Sequence, residues 1–215
     1  MKFLKNLAFK QLLLILFLIL TAGYSLSAQA QSTPAFDELK AFFEEGYVFE
    51  AEFTHLYRDD FTGSEQLTEG RIWIGKNHYK IEGDNQQMVV DGEISRVYDG
   101  LKNRVIISEY IEEEDDFAPS RMLQGVDDTF TVSETELNNG NTEILLISDD
   151  PFSVFKEVKI TVNSERNPLK IEAVDQVENE LTTTFSSGVF VEESPEQFEL
   201  DIPDDADIVD LRHES

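Results

Sequence analysis

Between residues 47 and 57 the chain reads YVFEAEFTHLY, and apolar and polar positions alternate almost without a break. Tyr47, Phe49, Ala51, Phe53, His55 and Tyr57 fall on one face. Val48, Glu50, Glu52, Thr54 and Leu56 fall on the other, which is mostly polar. Successive side chains of a strand point to opposite faces, so the pattern predicts an antiparallel strand with one buried face. Further strands are expected at 66–74, 78–82, 87–90, 93–98 and 104–109, separated by Gly75-Lys76-Asn77, Gly83-Asp84-Asn85, Asp91-Gly92 and Asp99-Gly100. Asp-Gly between alternating stretches is a strong hairpin signal. This regular spacing of turns is the rhythm of an antiparallel meander that curls on itself. After an interruption at 111–125, strands are expected at 128–134, 143–148, 155–163, 168–175, 180–190 and 197–202.

One stretch has a different period. In residues 34–45, PAFDELKAFFEE, a single helical stripe carries Phe36, Leu39, Phe42 and Phe43. Thr33 is placed to act as N-cap, Pro34 suits the first helical position, and Gly46 ends the helix. A second, short helix is expected at 120–124, presenting Met122 and Leu123. The expected fold class is therefore mainly β: a single curved antiparallel sheet forming an incomplete, unclosed barrel with a helical lid.

The N-terminal pattern is different again. Lys2, Lys5 and Lys10 surround the start of an apolar run at 12–20, LLLILFLIL. The run is shorter than the ~20 residues a membrane helix needs. Ala28 and Ala30 fit an A-x-A cleavage site, which predicts a signal peptide over 1–30, a mature start at Gln31 and a periplasmic location. Residues 31–215 show no linker, repeat or low-complexity tail and read as a single domain with a core of its own.

Charge narrows the partners. The whole chain carries −27, and the three leading lysines lie before the first acidic residue, so the mature chain is more negative still. Such a surface repels nucleic acid and anionic headgroups. Sixteen Phe set it apart from a disordered acidic chain. The absence of cysteine excludes disulfides, thiol catalysis, zinc–thiolate sites and a lipid-modified N-terminal cysteine.

No catalytic set emerges. His55, His78 and His213 do not stand at metal-ligand spacing. There is no G-x-S-x-G elbow and no Gly-rich phosphate loop. The acidic run 112–116 reads as a solvated loop and lacks the alternation of a calcium loop. Neither enzyme activity nor a cofactor nor a metal is expected. What remains is an aromatic-lined sheet face, which either packs as a filled core or keeps space for an apolar ligand.

Taken in order, the motifs resemble a known family. Phe49, Ala51 and Phe53 give F-x-A-x-F; Gly70, Ile72, Trp73 and Ile74 open and fill the next strand; Tyr79 follows. Val90-Asp91-Gly92 leads to Tyr98-Asp99, and Pro119 heads a mid-chain helix that runs to Leu123. Phe155 and Ile160 stand in the second half, and Phe198, Pro203 and Val209-Asp210 near the end. This order resembles the periplasmic outer-membrane lipoprotein carriers, the LolA family, over nearly all of the mature chain. The resemblance implies a monomeric carrier that binds the acyl chains of lipid-modified proteins. Its partners would be an inner-membrane lipoprotein-releasing transporter and an outer-membrane acceptor. It implies a cavity lined by Phe49, Ala51, Phe53, Ile72, Ile74, Tyr79, Val90 and Tyr98, under a lid carrying Phe36, Leu39, Phe42, Phe43, Met122 and Leu123. Where the family has an arginine that holds the lid shut, this chain has Lys76, the expected latch, which lacks the planar fork of arginine. Two other readings stay open. One is the same fold binding a free lipid or glycolipid, and the other is a non-catalytic sensor or interaction domain with a filled interior.

Overall fold

The computed structural model describes residues 32–111, 115, 119–125 and 129–212. The expected signal segment, the acidic run apart from Asp115, and His213 lie outside them. From Thr33 onward the described residues belong to one unit of the chain. Among them, two helices, α1 (Pro34–Glu44) and α2 (Pro119–Gln124), accompany twelve strands in a single sheet. The strands are β1 (Tyr47–Arg58), β2 (Glu65–Ile74), β3 (Tyr79–Glu82), β4 (Gln86–Val90), β5 (Ile94–Asp99), β6 (Arg104–Glu109), β7 (Phe130–Glu136), β8 (Thr142–Ser148), β9 (Phe155–Val162), β10 (Pro168–Asp175), β11 (Glu180–Glu192) and β12 (Asp207–Asp210). Their spatial order is β12-β6-β5-β4-β3-β2-β1-β11-β10-β9-β8-β7. The sheet ends at β12 and β7, which do not pair with each other, so it is not closed into a barrel. No helix among the described residues is long and apolar enough to cross a membrane.

Local chemistry sets the hairpins. Asp91 Oδ1 accepts the N–H groups of Glu93 (3.2 Å) and Ile94 (2.8 Å), and Asp99 Oδ1 does the same for Leu101 (3.1 Å) and Lys102 (3.2 Å). An aspartate that binds backbone two and three residues on replaces the ladder bonds lost at the turn.

Directly paired residues share a face of the sheet. Phe49 pairs with Ile74, Ile74 with Tyr79, and Tyr79 with Val90. On the other side Phe49 pairs with Phe190, while Ile160 pairs with Ile171 and Ile144. All of these look onto the helices. Helix α1 touches both β1 and β8, which stand four strands apart. In a flat sheet that is about 19 Å, at ~4.8 Å per strand. Helix α1, at 11 residues, is only about 16 Å long even when laid straight across the strands. The sheet therefore curves around the helix.

A β-bulge sits where β1 meets β11. Between Glu50 and Glu52 the register advances by two residues on β1 and three on β11. The extra position falls at Ser187, whose φ is +56°. A one-residue insertion reverses side-chain parity. Phe185 and Phe190 therefore both face the interior, beside Phe53 and Phe49. Gly188 lets Phe49 pass close to the strand: a Cβ there would lie 2.5 Å from the Phe49 ring.

The structure departs from the sequence pattern in four places. Tyr98 is not in the interior. It pairs with Gln87 and Val105, whereas Val97, opposite Met88, takes the concave side. Residues 197–202 do not form a strand. A 3-10 turn, Pro195–Phe198, leads into an extended segment, and the last strand is β12, parallel to β6. Thr33 stands at the N-cap of α1 but makes no side-chain capping bond. Asp115 is not simply solvated, since it accepts the hydroxyls of Tyr79 (2.6 Å) and Tyr110 (2.9 Å). The C-terminal segment explains the first departure. It lies against the convex side, where Phe198 packs edge-on against His78 (4.2 Å between centroids) and Asp201 N–H donates to Gln87 Oε1 (3.1 Å). Tyr98 faces that covered side and donates its hydroxyl to Asn103 Oδ1 (3.1 Å).

Candidate functional site: a lidded concave face

Helix α1 lays one stripe on the concave sheet. Ala35, Phe36, Leu39 and Phe43 are buried, while Asp37, Glu38 and Glu44 point outward. Gly46, at φ +84°, ends the helix and turns the chain into β1. Helix α2 adds Met122 and Leu123, both buried. These side chains join Phe49, Ala51, Phe53, Ile72 and Ile74 from β1 and β2 in one continuous cluster. The same cluster takes in Ile144 and Leu146 of β8, Val158 and Val162 of β9, and Phe185 of β11, which the resemblance did not single out. Tyr79 and Val90 are buried on the same side of the sheet but outside that cluster. Phe42 lies at its margin, stacked on Phe190 at 4.3 Å and edge-on to Tyr47 at 5.8 Å. Ten of the fourteen residues expected in cavity and lid thus meet directly in one cluster. Tyr98 stands apart on the far side of the sheet.

Polar ties hold α1 in place. Its N-terminus is capped by a residue far away in sequence: the Glu134 carboxylate of β7 accepts Phe36 N–H at 2.7 Å and Ala35 N–H at 3.2 Å. First-turn N–H groups have no intrahelical partner, and a carboxylate there also meets the positive end of the helix dipole. Arg166, in the β9–β10 turn, donates Nε to Glu38 (2.5 Å). Lys76, in the β2–β3 turn, donates Nζ to Glu44 (2.6 Å), near the other end of the helix. The Lys76 carbonyl also accepts Gln124 Nε2 of α2 (2.7 Å). Lys76 is therefore one tie among several, and its side chain and that of Glu44 are 46% and 61% exposed. An exposed ion pair of this kind is worth about 0–1 kcal/mol. Sequence reasoning missed Glu134. Its signal was parity: Phe130, Val132 and Glu134 share the inward side of β7, and an inward charge needs a partner.

The lid sits at the end of the sheet that carries the β2–β3 and β9–β10 turns. At the opposite end, by the β1–β2 and β10–β11 turns, a hollow of about 550 Å³ opens. Inward residues of β1 (His55, Tyr57), β2 (Gln66, Thr68) and β11 (Leu181) form its walls, with Phe155 at its apolar side. His55 Nδ1 lies 2.8 Å from Thr183 Oγ1, and burial holds the imidazole pKa below its ordinary value. At the other extreme, burial and then the Asp115 carboxylate push the Tyr79 phenol far up, so it stays a hydrogen-bond donor. Among the described residues, no group of three His, Asp or Glu is placed to hold a metal ion.

No family model and no curated protein matches the chain. Solved structures do. An uncharacterized conserved protein from Thermus thermophilus aligns over 81% of this chain and 98% of its own, with a TM-score of 0.51 and 14% identity. A LolA superfamily protein from Nitrosomonas europaea aligns over 78% and 97%, with a TM-score of 0.41 and 10% identity. A DUF1329 family protein from Desulfovibrio piger aligns over 79% and 98%, with a TM-score of 0.42 and 10% identity. A curved, unclosed sheet, antiparallel except at β12, with helices seated on its concave side is the fold class expected from the sequence pattern.

Proposed function

We propose that residues 31–215 form a single carrier domain that binds the acyl chains of lipid-modified proteins and ferries them between membranes in the periplasm. The work is binding and release, with no covalent step. One observation carries the reading: the apolar concave face is filled by side chains of two helices that are not part of the sheet. Phe36, Leu39, Phe43, Met122 and Leu123 are all buried there. At about 1.5–3 kcal/mol each, their burial is worth roughly 8–15 kcal/mol together. An acyl chain of about sixteen carbons, at about 0.8 kcal/mol per methylene, gains about 12 kcal/mol on leaving water. Exchange of lid side chains for an acyl chain is therefore close to balanced, as reversible carriage requires. The ties across the lid are few and partly exposed, so opening does not break a buried network. A filled interior also suits a sensor or interaction domain, and ligand binding decides between the two. In such a carrier the donor would be an inner-membrane lipoprotein-releasing transporter and the receiver an outer-membrane acceptor, with the protein working as a monomer. The test is to purify the mature protein, extract it with organic solvent and identify acylated molecules by mass spectrometry, then to titrate the stripped protein with a fluorescent acyl probe. Saturable probe binding that lowers the hydrogen-exchange protection of α1 supports the reading. A stripped protein that takes up no probe overturns it.

A further inference from the structure

We propose that the hollow at the β1–β2 end is a head-group subsite, which takes the uncharged, ester- or amide-bearing head of an acylated molecule and rejects carboxylate and phosphate heads. The inference rests on the carrier reading, since the tail is taken to lie on the concave face.

Position is the first argument. Phe155 and Leu181 line the hollow and also belong to the apolar cluster under the lid, so the two spaces adjoin. A tail lying along β1 past Phe53 brings its head to His55 and Tyr57, the next inward residues of that strand. The hollow, at about 550 Å³, has room for a glyceryl ester or a cysteine amide together with the first methylenes of the tail.

The lining is the second argument. Gln66, Thr68, Ser153, Gln176 and Asn179 offer amides and hydroxyls, and among the described residues no lysine or arginine lines the space. The carboxylate in the lining, Asp175, is turned into its own loop, accepting Val177 N–H, Asn179 N–H and Asn179 Nδ2, each at 2.8 Å. The His55 ring stays neutral near pH 7, because burial disfavours its charged form. A set of neutral donors and acceptors satisfies esters, amides and hydroxyls, but supplies no counter-charge to an anion.

The third argument is the surrounding field. The chain carries −27, and acidic residues stand at the mouth. Asp60 N–H donates to Asn179 Oδ1 (3.1 Å), and the Asp150 carbonyl accepts Gln176 Nε2 (3.3 Å), so both acidic residues border the lining. An anionic head would enter against that potential and meet no cation among the lining residues.

The test uses the mature chain, stripped of lipid and loaded with N-phenyl-1-naphthylamine, a neutral probe without a head group. Displacement by monolauroylglycerol, N-lauroyl-cysteine amide, laurate and lauryl phosphate is followed at pH 8 and low salt. The two neutral competitors are expected to act at concentrations at least tenfold below those of the two anions. A clear preference between the two neutral competitors tells whether a protein-borne or a free-lipid head is the natural ligand. Gln66→Lys, at an exposed position, places a cation in the lining and is expected to improve laurate at least threefold relative to monolauroylglycerol in the same protein. Laurate competing as well as monolauroylglycerol in the native protein, or a Gln66→Lys protein with laurate affinity unchanged relative to monolauroylglycerol, overturns the subsite while the carrier reading stands. If the naphthylamine probe itself fails to bind, the carrier reading falls and the subsite with it.

Discussion

Replacing Glu134 with alanine removes the cap on the lid helix without touching the lid's apolar stripe. Two first-turn N–H groups, of Ala35 and Phe36, lose a carboxylate at 3.2 and 2.7 Å. Hydrogen bonds to a charged acceptor are worth about 1.5–3 kcal/mol, but this site is only part-buried and water can take over some of the bonding. Loss of a helix N-cap costs about 0.5–2 kcal/mol, and the carboxylate at the dipole's positive end adds about 0.3–1 kcal/mol. A net loss of about 1–2 kcal/mol from the closed state is expected, which raises the open-lid population roughly 5–30-fold. Glu134→Gln keeps one acceptor oxygen and should show about half the effect. Native-state hydrogen exchange read by mass spectrometry reports it directly. Peptides spanning 35–43 should lose protection by about tenfold, while peptides from the centre of β1 keep theirs. The reasoning fails if protection in 35–43 changes less than twofold. It fails equally if β1 loses protection in step with the lid, since Glu134 would then be holding the whole fold.

Four further outcomes follow from the same geometry. Lys76→Leu removes an exposed ion pair to Glu44 and should change acyl-probe affinity by less than about tenfold in a fluorescence titration. Phe53→Asp puts a carboxylate at a site that is 4% exposed and should abolish probe binding, with urea unfolding run alongside to measure the accompanying loss of stability. Gly188→Val places a Cβ about where the Phe49 ring lies, 2.5 Å away, and should lower stability by about 1–3 kcal/mol in urea. At Asp91 burial opposes ionisation, but Ile94 N–H, Glu93 N–H and Arg96 outweigh it, so its folded pKa lies below the ordinary 3.8. That contribution is present above the unfolded pKa and is lost as pH falls through the folded one, so the urea midpoint of Asp91→Asn should decline less steeply below pH ~4 than that of the native chain.

The middle of the sheet was the most legible part of the sequence. One side of β1 and β2 meets the apolar interior, so Phe49, Phe53, Ile72 and Ile74 alternate cleanly with Glu50, Glu52 and Arg71. The stripe of α1 was equally plain, because the rest of the helix surface meets water. Strand β5 defeated the same reasoning. Ile94, Arg96 and Tyr98 alternate with Ser95, Val97 and Asp99, and every one of them is half-buried. The C-terminal segment covers the convex side nearby, so neither face is purely polar and period-2 hydrophobicity has no preferred phase. The bulge at Ser187 hid the inward turn of Phe190, since strict alternation from Phe185 sends position 190 outward. Lys76 was visible from its place in the motif order, whereas Glu134 reached the lid only through tertiary pairing of β7 with β8. The hollow drew no attention because Gln66, Thr68 and Asn179 are ordinary residues for strands and turns.

The pairing of β1 with β11 also governs how the chain comes together. Strands β1 to β6 join neighbour to neighbour through hairpins, and so do β7 to β11. Within each half, contacts close over short loops and form early. The two halves meet along a seam whose partners lie far apart, as His55 and Thr183 do at 128 residues. A chain emerging in order therefore holds β1 and β10 as open edges until β11 is available, and open edges invite pairing with other chains. Completion of the seam should be the slow step, and a chain shortened before residue 180 should aggregate even though most of its hairpins are intact.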